Sequence, residues 1–134
     1  MKKETLDAHM TLTVTPTLRT YIVHAAYQTY ESVSNLVRRG LIRELARAID
    51  FYDDLDAPTN LGQTMPELEA PELPGYDDSE RKTASVCIAM TVTMKDRVRR
   101  AAWLNQESVS AFVRRAAITE LVAMNDRATP RISR

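Results

Sequence analysis

Hydrogen-bonding side chains recur at every second residue near the start of the chain, where His9, Thr11 and Thr13 alternate with Met10, Leu12 and Val14. A period of two sends the polar set to one face of a strand and the aliphatic set to the other. Such a row can donate and accept hydrogen bonds, and each threonine adds a methyl group. Two further motifs carry polar chemistry: Ser32-Val33-Ser34 and Ser108-Val109-Ser110, each placing paired hydroxyls at a candidate helix start. Adjacent arginines follow both, Arg38-Arg39 and Arg114-Arg115. Catalytic chemistry has no comparable signal. The chain has two histidines and one cysteine, with no metal-spaced cluster, glycine-rich phosphate loop or nucleophile motif. These residues point to recognition rather than catalysis: no enzyme, no cofactor and no metal.

The elements that must position them occur twice. Glu31 to Leu45 reads ESVSNLVRRGLIREL and Glu107 to Leu121 reads ESVSAFVRRAAITEL, with ten of fifteen positions identical at an offset of 76 residues. Upstream, Ala25-Ala26 falls on Ala101-Ala102, Ile22 on Val98, Leu18 on Met94, Val14 on Met90 and Leu12 on Ile88. Each copy predicts a strand and two helices. In the first, Thr15-Pro16 is a helix start, and Leu18, Ile22, Ala25 and Ala26 mark one face of a helix over 16–30. Ser32 or Ser34 caps a second helix reaching about 48, with Val33, Leu36, Val37, Leu41 and Leu45 on its buried stripe. In the second copy Val86, Ile88, Met90 and Val92 alternate with Ser85, Cys87, Ala89 and Thr91. The strand could also run on through Thr93, with a Thr93/Asp96 capping box starting a shorter helix, and both versions place Cys87, Ala89 and Thr91 on one face. Trp103, aligned with Tyr27, is expected in the core. Gly40 and Ala116 share one mid-helix position, which suggests that the second helices cross there. A unit of about 40 residues rarely buries enough apolar surface to fold alone, so each copy is expected to supply the other's missing half.

These patterns divide the chain into a first repeat over 8–49, an acidic, proline-containing linker over 50–84, a second repeat over 85–124 and a basic tail over 125–134. Net charge is zero, but its distribution is not even. Residues 1–49 carry seven Lys/Arg against four Asp/Glu, residues 50–80 none against ten, and residues 81–134 eleven against four. The linker reads as irregular, with Ile49, Phe51, Tyr52 and Leu55 extending the preceding helix or packing locally. Its acids keep a loop soluble, lie over a basic face, or hold a basic protein partner. No apolar run approaches a membrane span or a signal peptide, so a cytoplasmic protein with no membrane partner is expected.

Strand, helix, helix, with threonines on the open strand face and a serine-capped second helix, resembles the ribbon–helix–helix family of Arc, MetJ and the CopG-like repressors. MTLTVTPTLRTYI at 10–22 and ESVSNLVRRGLIREL at 31–45 carry the resemblance, with their echoes at 86–98 and 107–121. It covers everything except linker and tail. The tandem single-chain arrangement is similar to TraY. One departure is the turn between the helices, which usually holds a glycine. Here it reads QTYES and NQES, with Asn105 the nearest substitute.

The resemblance implies a mainly α fold with a short β-ribbon: two β-α-α repeats forming an intramolecular pseudodimer, a two-stranded antiparallel ribbon with four helices. It also implies a sequence-specific double-stranded DNA-binding protein, a transcriptional regulator reading the major groove. A conjugation or relaxosome accessory protein and an antitoxin-type protein-interaction module are the alternatives. Base-contacting positions would be His9, Thr11 and Thr13, with Ser85, Cys87, Ala89 and Thr91. Neither face holds Arg or Lys, so strong guanine readout is not expected. The two faces differ, which favours an asymmetric site. Phosphate contacts would come from Ser32, Val33 and Ser34 and from Ser108, Val109 and Ser110, where helix N-termini offer free N–H groups. The arginine pairs suit a solvated face or ion pairs to nearby glutamates. Lys95, Arg97, Arg99 and Arg100 are stronger sources of long-range attraction to DNA. Self-association on DNA is a further possibility.

Overall fold

Two strands and four helices form in the order the repeats predict. A computed structural model describes residues 4–67, 73–77 and 79–128. The elements are β1 (Ala8–Val14), α1 (Pro16–Gln28), α2 (Val33–Tyr52), β2 (Ala84–Met90), α3 (Val92–Leu104) and α4 (Val109–Ala128). The protein is mainly helical, with a small two-stranded antiparallel sheet. Of the two second helices, α2 takes the extended of its two expected courses, and α4 outruns expectation. α2 continues through Tyr52, and α4 takes in the first residues assigned to the tail. The rest of that tail, 129–134, lies outside the described residues. No helix among the described residues is long and apolar enough to cross a membrane.

β1 and β2 pair so that Thr11 faces Cys87, His9 faces Ala89 and Thr13 faces Ser85. Thr11 and Cys87 are the residues that the repeat superposes, so matched segments meet at their centres. Period-two alternation then buries Met10, Leu12 and Val14 with Val86, Ile88 and Met90 under one face of the sheet. Leu18, Ile22, Leu36, Val37 and Leu41 close this core together with Val98, Ala101, Phe112, Val113 and Ala117.

Each helix start has its hydroxyl cap. Thr15 Oγ1 accepts from the Leu18 N–H at 3.0 Å and Thr91 Oγ1 from the Met94 N–H at 3.1 Å. Ser32 Oγ accepts from Asn35 N–H and Ser108 Oγ from Ala111 N–H, both at 3.0 Å. The strand therefore ends at Met90, and the shorter α3 with a Thr93 cap does not form. The turns between helices are closed without glycine. Tyr30 and Gln106 both take φ 56°, the left-handed conformation usually left to glycine. The next N–H groups, of Glu31 and Glu107, return to the Ala26 and Ala102 carbonyls, each at 3.0 Å. Asn105 is not the left-handed residue; its φ is −83°.

α2 and α4 cross where expected. A Cβ on Gly40 would lie 2.4 Å from the carbonyl oxygen of Ala116. Ion pairs between the same helices flank the crossing. The Glu120 carboxylate, fully buried, meets Arg39 at 2.6 Å and Arg43 at 3.1 Å. Glu44, also buried, meets Arg115 of α4 at 3.0 Å and, within its own helix, Arg47 at 3.5 Å. Arg39 also holds Glu31 at 2.7 Å, and Arg115 holds Glu107 at 2.6 Å. Glu31, Arg39 and Glu44 map onto Glu107, Arg115 and Glu120 through the repeat, whereas Arg43 and Arg47 fall on Thr119 and Ala123. The Arg39 hydrogen bond holds the Glu31 carboxyl below its ordinary range, against the opposing effect of burial. For Arg115 burial acts to lower the pKa, but the Glu107 and Glu44 carboxylates outweigh it and raise it.

Between Tyr52 and Ala84, where β2 begins, the linker forms no helix or strand among its described residues, yet it is packed. Leu55, Met65 and Leu73 are buried. Asn105 Oδ1 accepts from the Met65 N–H at 2.6 Å, and Arg100 Nε donates to the Leu55 carbonyl at 2.8 Å. Trp103, expected in the core, is 63 % exposed. α3 buries Val98, Ala101, Ala102 and Leu104, which leaves Trp103 on the opposite side, as Tyr27 is on α1.

Candidate nucleic-acid interface

The open face of the sheet carries the predicted row. His9, Thr11, Thr13, Ser85 and Cys87 are exposed, while Ala89 is half-buried. Thr91 does not belong to it. It corresponds to Thr15, lies past the end of β2, and its hydroxyl is engaged as the α3 cap.

A two-stranded sheet leaves both outer edges with unpaired backbone groups. Cationic side chains take up four of the edge carbonyls. Arg19 Nε donates to Ser85 O at 3.3 Å, and its counterpart Lys95 donates through Nζ to His9 O at 2.9 Å. Arg38 Nη1 donates to Ala89 O at 2.6 Å, and its counterpart Arg114 donates to Thr13 O at 3.2 Å. The adjacent arginines therefore divide their work. Arg39 and Arg115 form the expected ion pairs, whereas Arg38 and Arg114 reach across to the strand of the other repeat. These contacts place four positive charges along the borders of the polar row.

The serine motifs sit beside the same edges. Ser34 Oγ accepts from the Ala89 N–H at 2.8 Å, joining the first turn of α2 to β2. Ser32 and Ser108 are caps, and Val33, Ser34, Val109 and Ser110 form the first turns of α2 and α4. In a first turn the N–H groups lack carbonyl partners within their own helix. The resulting partial positive charge favours an anion.

Two functional neighbours escaped the sequence reading. Glu80 accepts from the Thr17 hydroxyl at 2.7 Å and Glu4 from the Thr93 hydroxyl at 2.6 Å. Each carboxylate also faces the same threonine's N–H at 3.4 Å, so it stabilises the positive end of α1 or α3. Glu4 and Glu80 obey the repeat offset, so extending the alignment eight residues upstream of Leu12 and Ile88 would have found them.

What the site can do follows from its inventory. It presents a shallow polar row of hydroxyls, one imidazole and one thiol, bordered by fixed cations and two helix N-termini. No family model matches the chain, and neither the curated proteins nor the solved structures contain a match to it.

Proposed function

We propose that the chain is a sequence-specific double-stranded DNA-binding protein, a ribbon–helix–helix pseudodimer folded from one polypeptide, which regulates transcription by occupying an operator. The observation that carries this reading is the exposed row His9, Thr11, Thr13, Ser85 and Cys87 between Arg19, Arg38, Lys95 and Arg114. A B-DNA major groove is wide enough for a two-stranded ribbon, and threonine can meet both a base-edge hydrogen-bonding group and the thymine methyl. The bordering cations and the α2 and α4 N-termini suit the phosphates on either side of the groove. The two strands offer different side chains, His9, Thr11 and Thr13 against Ser85, Cys87 and Ala89, so the preferred site is asymmetric.

Cys87 supplies a direct test, because it is the one cysteine of the chain and is exposed at the centre of the row. DNA selected from a random pool should slow its alkylation by a maleimide. Protein alkylated beforehand should lose affinity by roughly tenfold or more, about 1.4 kcal/mol. Binding should weaken steeply with salt. Alkylated protein that binds selected DNA as tightly as unmodified protein would refute the placement of the row in the groove. A selected consensus that is a perfect palindrome would refute the asymmetry.

A further inference from the structure

α1 and α3 hold matching places. Each follows a sheet strand and leads through a left-handed turn into a second helix. Their charges do not match. α3 carries Lys95, Arg97, Arg99 and Arg100 against Asp96, a net +3, whereas α1 carries only Arg19, a net +1. The first cation is common to both and is committed to the sheet, since Arg19 and Lys95 bind Ser85 O and His9 O. The difference lies farther along.

Residues four apart share a helix face. On α3 that face, starting from Lys95 at the sheet edge, continues to Arg99 and Trp103; on α1 it runs from Arg19 to Val23 and Tyr27. Arg99 and Trp103 are exposed, and the Arg100 guanidinium lies 5.1 Å from the Trp103 ring centroid. Val23 and Tyr27, at the same places on α1, are exposed and uncharged. The other flank of α3 is occupied differently. Arg97 and Arg100 line a groove with Asp53, Asp54 and Asp56, whose charges oppose theirs. Arg99 lies about 160° around the helix from Arg97, away from those aspartates.

We propose that duplex DNA flanking the recognised site is held by the Lys95–Arg99–Trp103 face of α3 and has no equivalent support on α1, so the protein grips its site unevenly. This inference rests on the DNA-binding reading. The occupant follows from charge and continuity. The face begins at a lysine already bordering the polar row, and α3 leads into the N-terminus of α4, the other phosphate candidate on that side. An additional cation on this path meets the next phosphates of the same duplex.

Hydroxyl-radical footprinting and mobility shifts on a site selected by the wild-type protein test it. Wild type should protect the backbone farther from the site centre on one side. Arg99→Glu should lose that flank, weaken binding at low salt by roughly tenfold and lower the slope of log affinity against log salt by about 1. Val23→Arg should extend protection on the opposite side. A wild-type footprint of equal reach on both sides, or an Arg99→Glu protein with unchanged footprint and salt slope, overturns the inference while leaving DNA binding intact. Absence of any shift with wild-type protein on any duplex overturns both.

Discussion

Gly40 offers the most demanding test of how the two halves are joined. An alanine there would bring its Cβ to 2.4 Å from the Ala116 carbonyl oxygen, where ordinary contact begins at 3.4 Å. The helices must therefore part by about 1 Å, a gap that forfeits roughly a quarter to a half of each contact across the crossing. Overpacking of this kind costs about 1–3 kcal/mol. The upper part of that range applies, because the obstructing atom is backbone and cannot rotate away. The Arg39–Glu120 and Arg115–Glu44 pairs also tie the same two helices together. Alanine returns about 1 kcal/mol through helix propensity. The net loss is about 2 kcal/mol, a fall of roughly 6–10 °C in Tm for a chain of this size. Urea and thermal unfolding followed by circular dichroism give both quantities. Adding Ala116→Gly should not rescue the variant, since the clash is with a carbonyl rather than a methyl; the coupling should stay below about 0.5 kcal/mol. Gly40→Leu should abolish the cooperative transition. A Gly40→Ala protein as stable as wild type would show that the helices do not meet as closely as this reasoning requires.

Other perturbations separate backbone, charge and pH effects. Tyr30→Gly should stabilise the protein by about 1 kcal/mol, because Tyr30 is 99 % exposed and pays only the left-handed strain. Gln106→Gly should gain less, since it also loses the bond from Gln106 Nε2 to Gly62 O; a loss of urea stability in Tyr30→Gly would contradict the left-handed turn. Replacing Arg39 and Arg43 together by Met removes two cationic partners from the buried Glu120 carboxylate and should cost about 3 kcal/mol or more. Glu120→Met leaves two arginines that reach solvent and should cost about half as much or less, so equal losses in denaturant melts would defeat this account. Glu31 has a folded-state pKa below its unfolded value. Its contribution is thus present above the ordinary carboxylate range and is lost as pH falls through the folded value. Glu31→Gln should accordingly narrow the difference between urea midpoints at neutral and strongly acidic pH, and an unchanged difference would count against the Arg39 interaction.

Much of the framework was legible because it rests on local rules. Alternation identified β1 and β2, and the hydroxyls of Thr15 and of the two serine motifs marked three of the helix starts, whereas Thr91, assigned to the open strand face, is the cap of α3. Gly40 signalled the crossing because glycine in mid-helix is costly unless something needs the space. What escaped depends on tertiary placement. Trp103 was assigned to the core by its residue type, but α3 meets its neighbours through Val98, Ala101 and Ala102. The left-handed residue fell on Tyr30 and Gln106 because the turn length fixes which residue follows the helix cap, and residue preference alone pointed to Asn105 instead. Nothing local could assign Arg38 and Arg114 to carbonyls on the opposite strand, since those carbonyls become edge groups only after β1 and β2 pair. The linker's acids drew attention to charge, whereas its apolar Leu55 and Met65 decide where it sits.

The two repeats differ in an ordered way, and this bears on the kind of surface the protein presents. Residues that join the halves match across them: Arg38 with Arg114, Arg39 with Arg115, Glu44 with Glu120. Each of these pairs makes reciprocal contacts, so a change in one copy alone would leave a buried charge or an edge carbonyl poorly paired. The outward row is under no such constraint from the fold. There His9 matches Ser85, Thr11 matches Cys87 and Thr13 matches Ala89, and all three pairs differ in size and hydrogen-bonding capacity. Two separate copies of one short chain would present identical rows and could not diverge in this way. Carrying both strands on one polypeptide frees the outer face to become unequal while the interior stays matched, and a partner that meets this face meets two different halves.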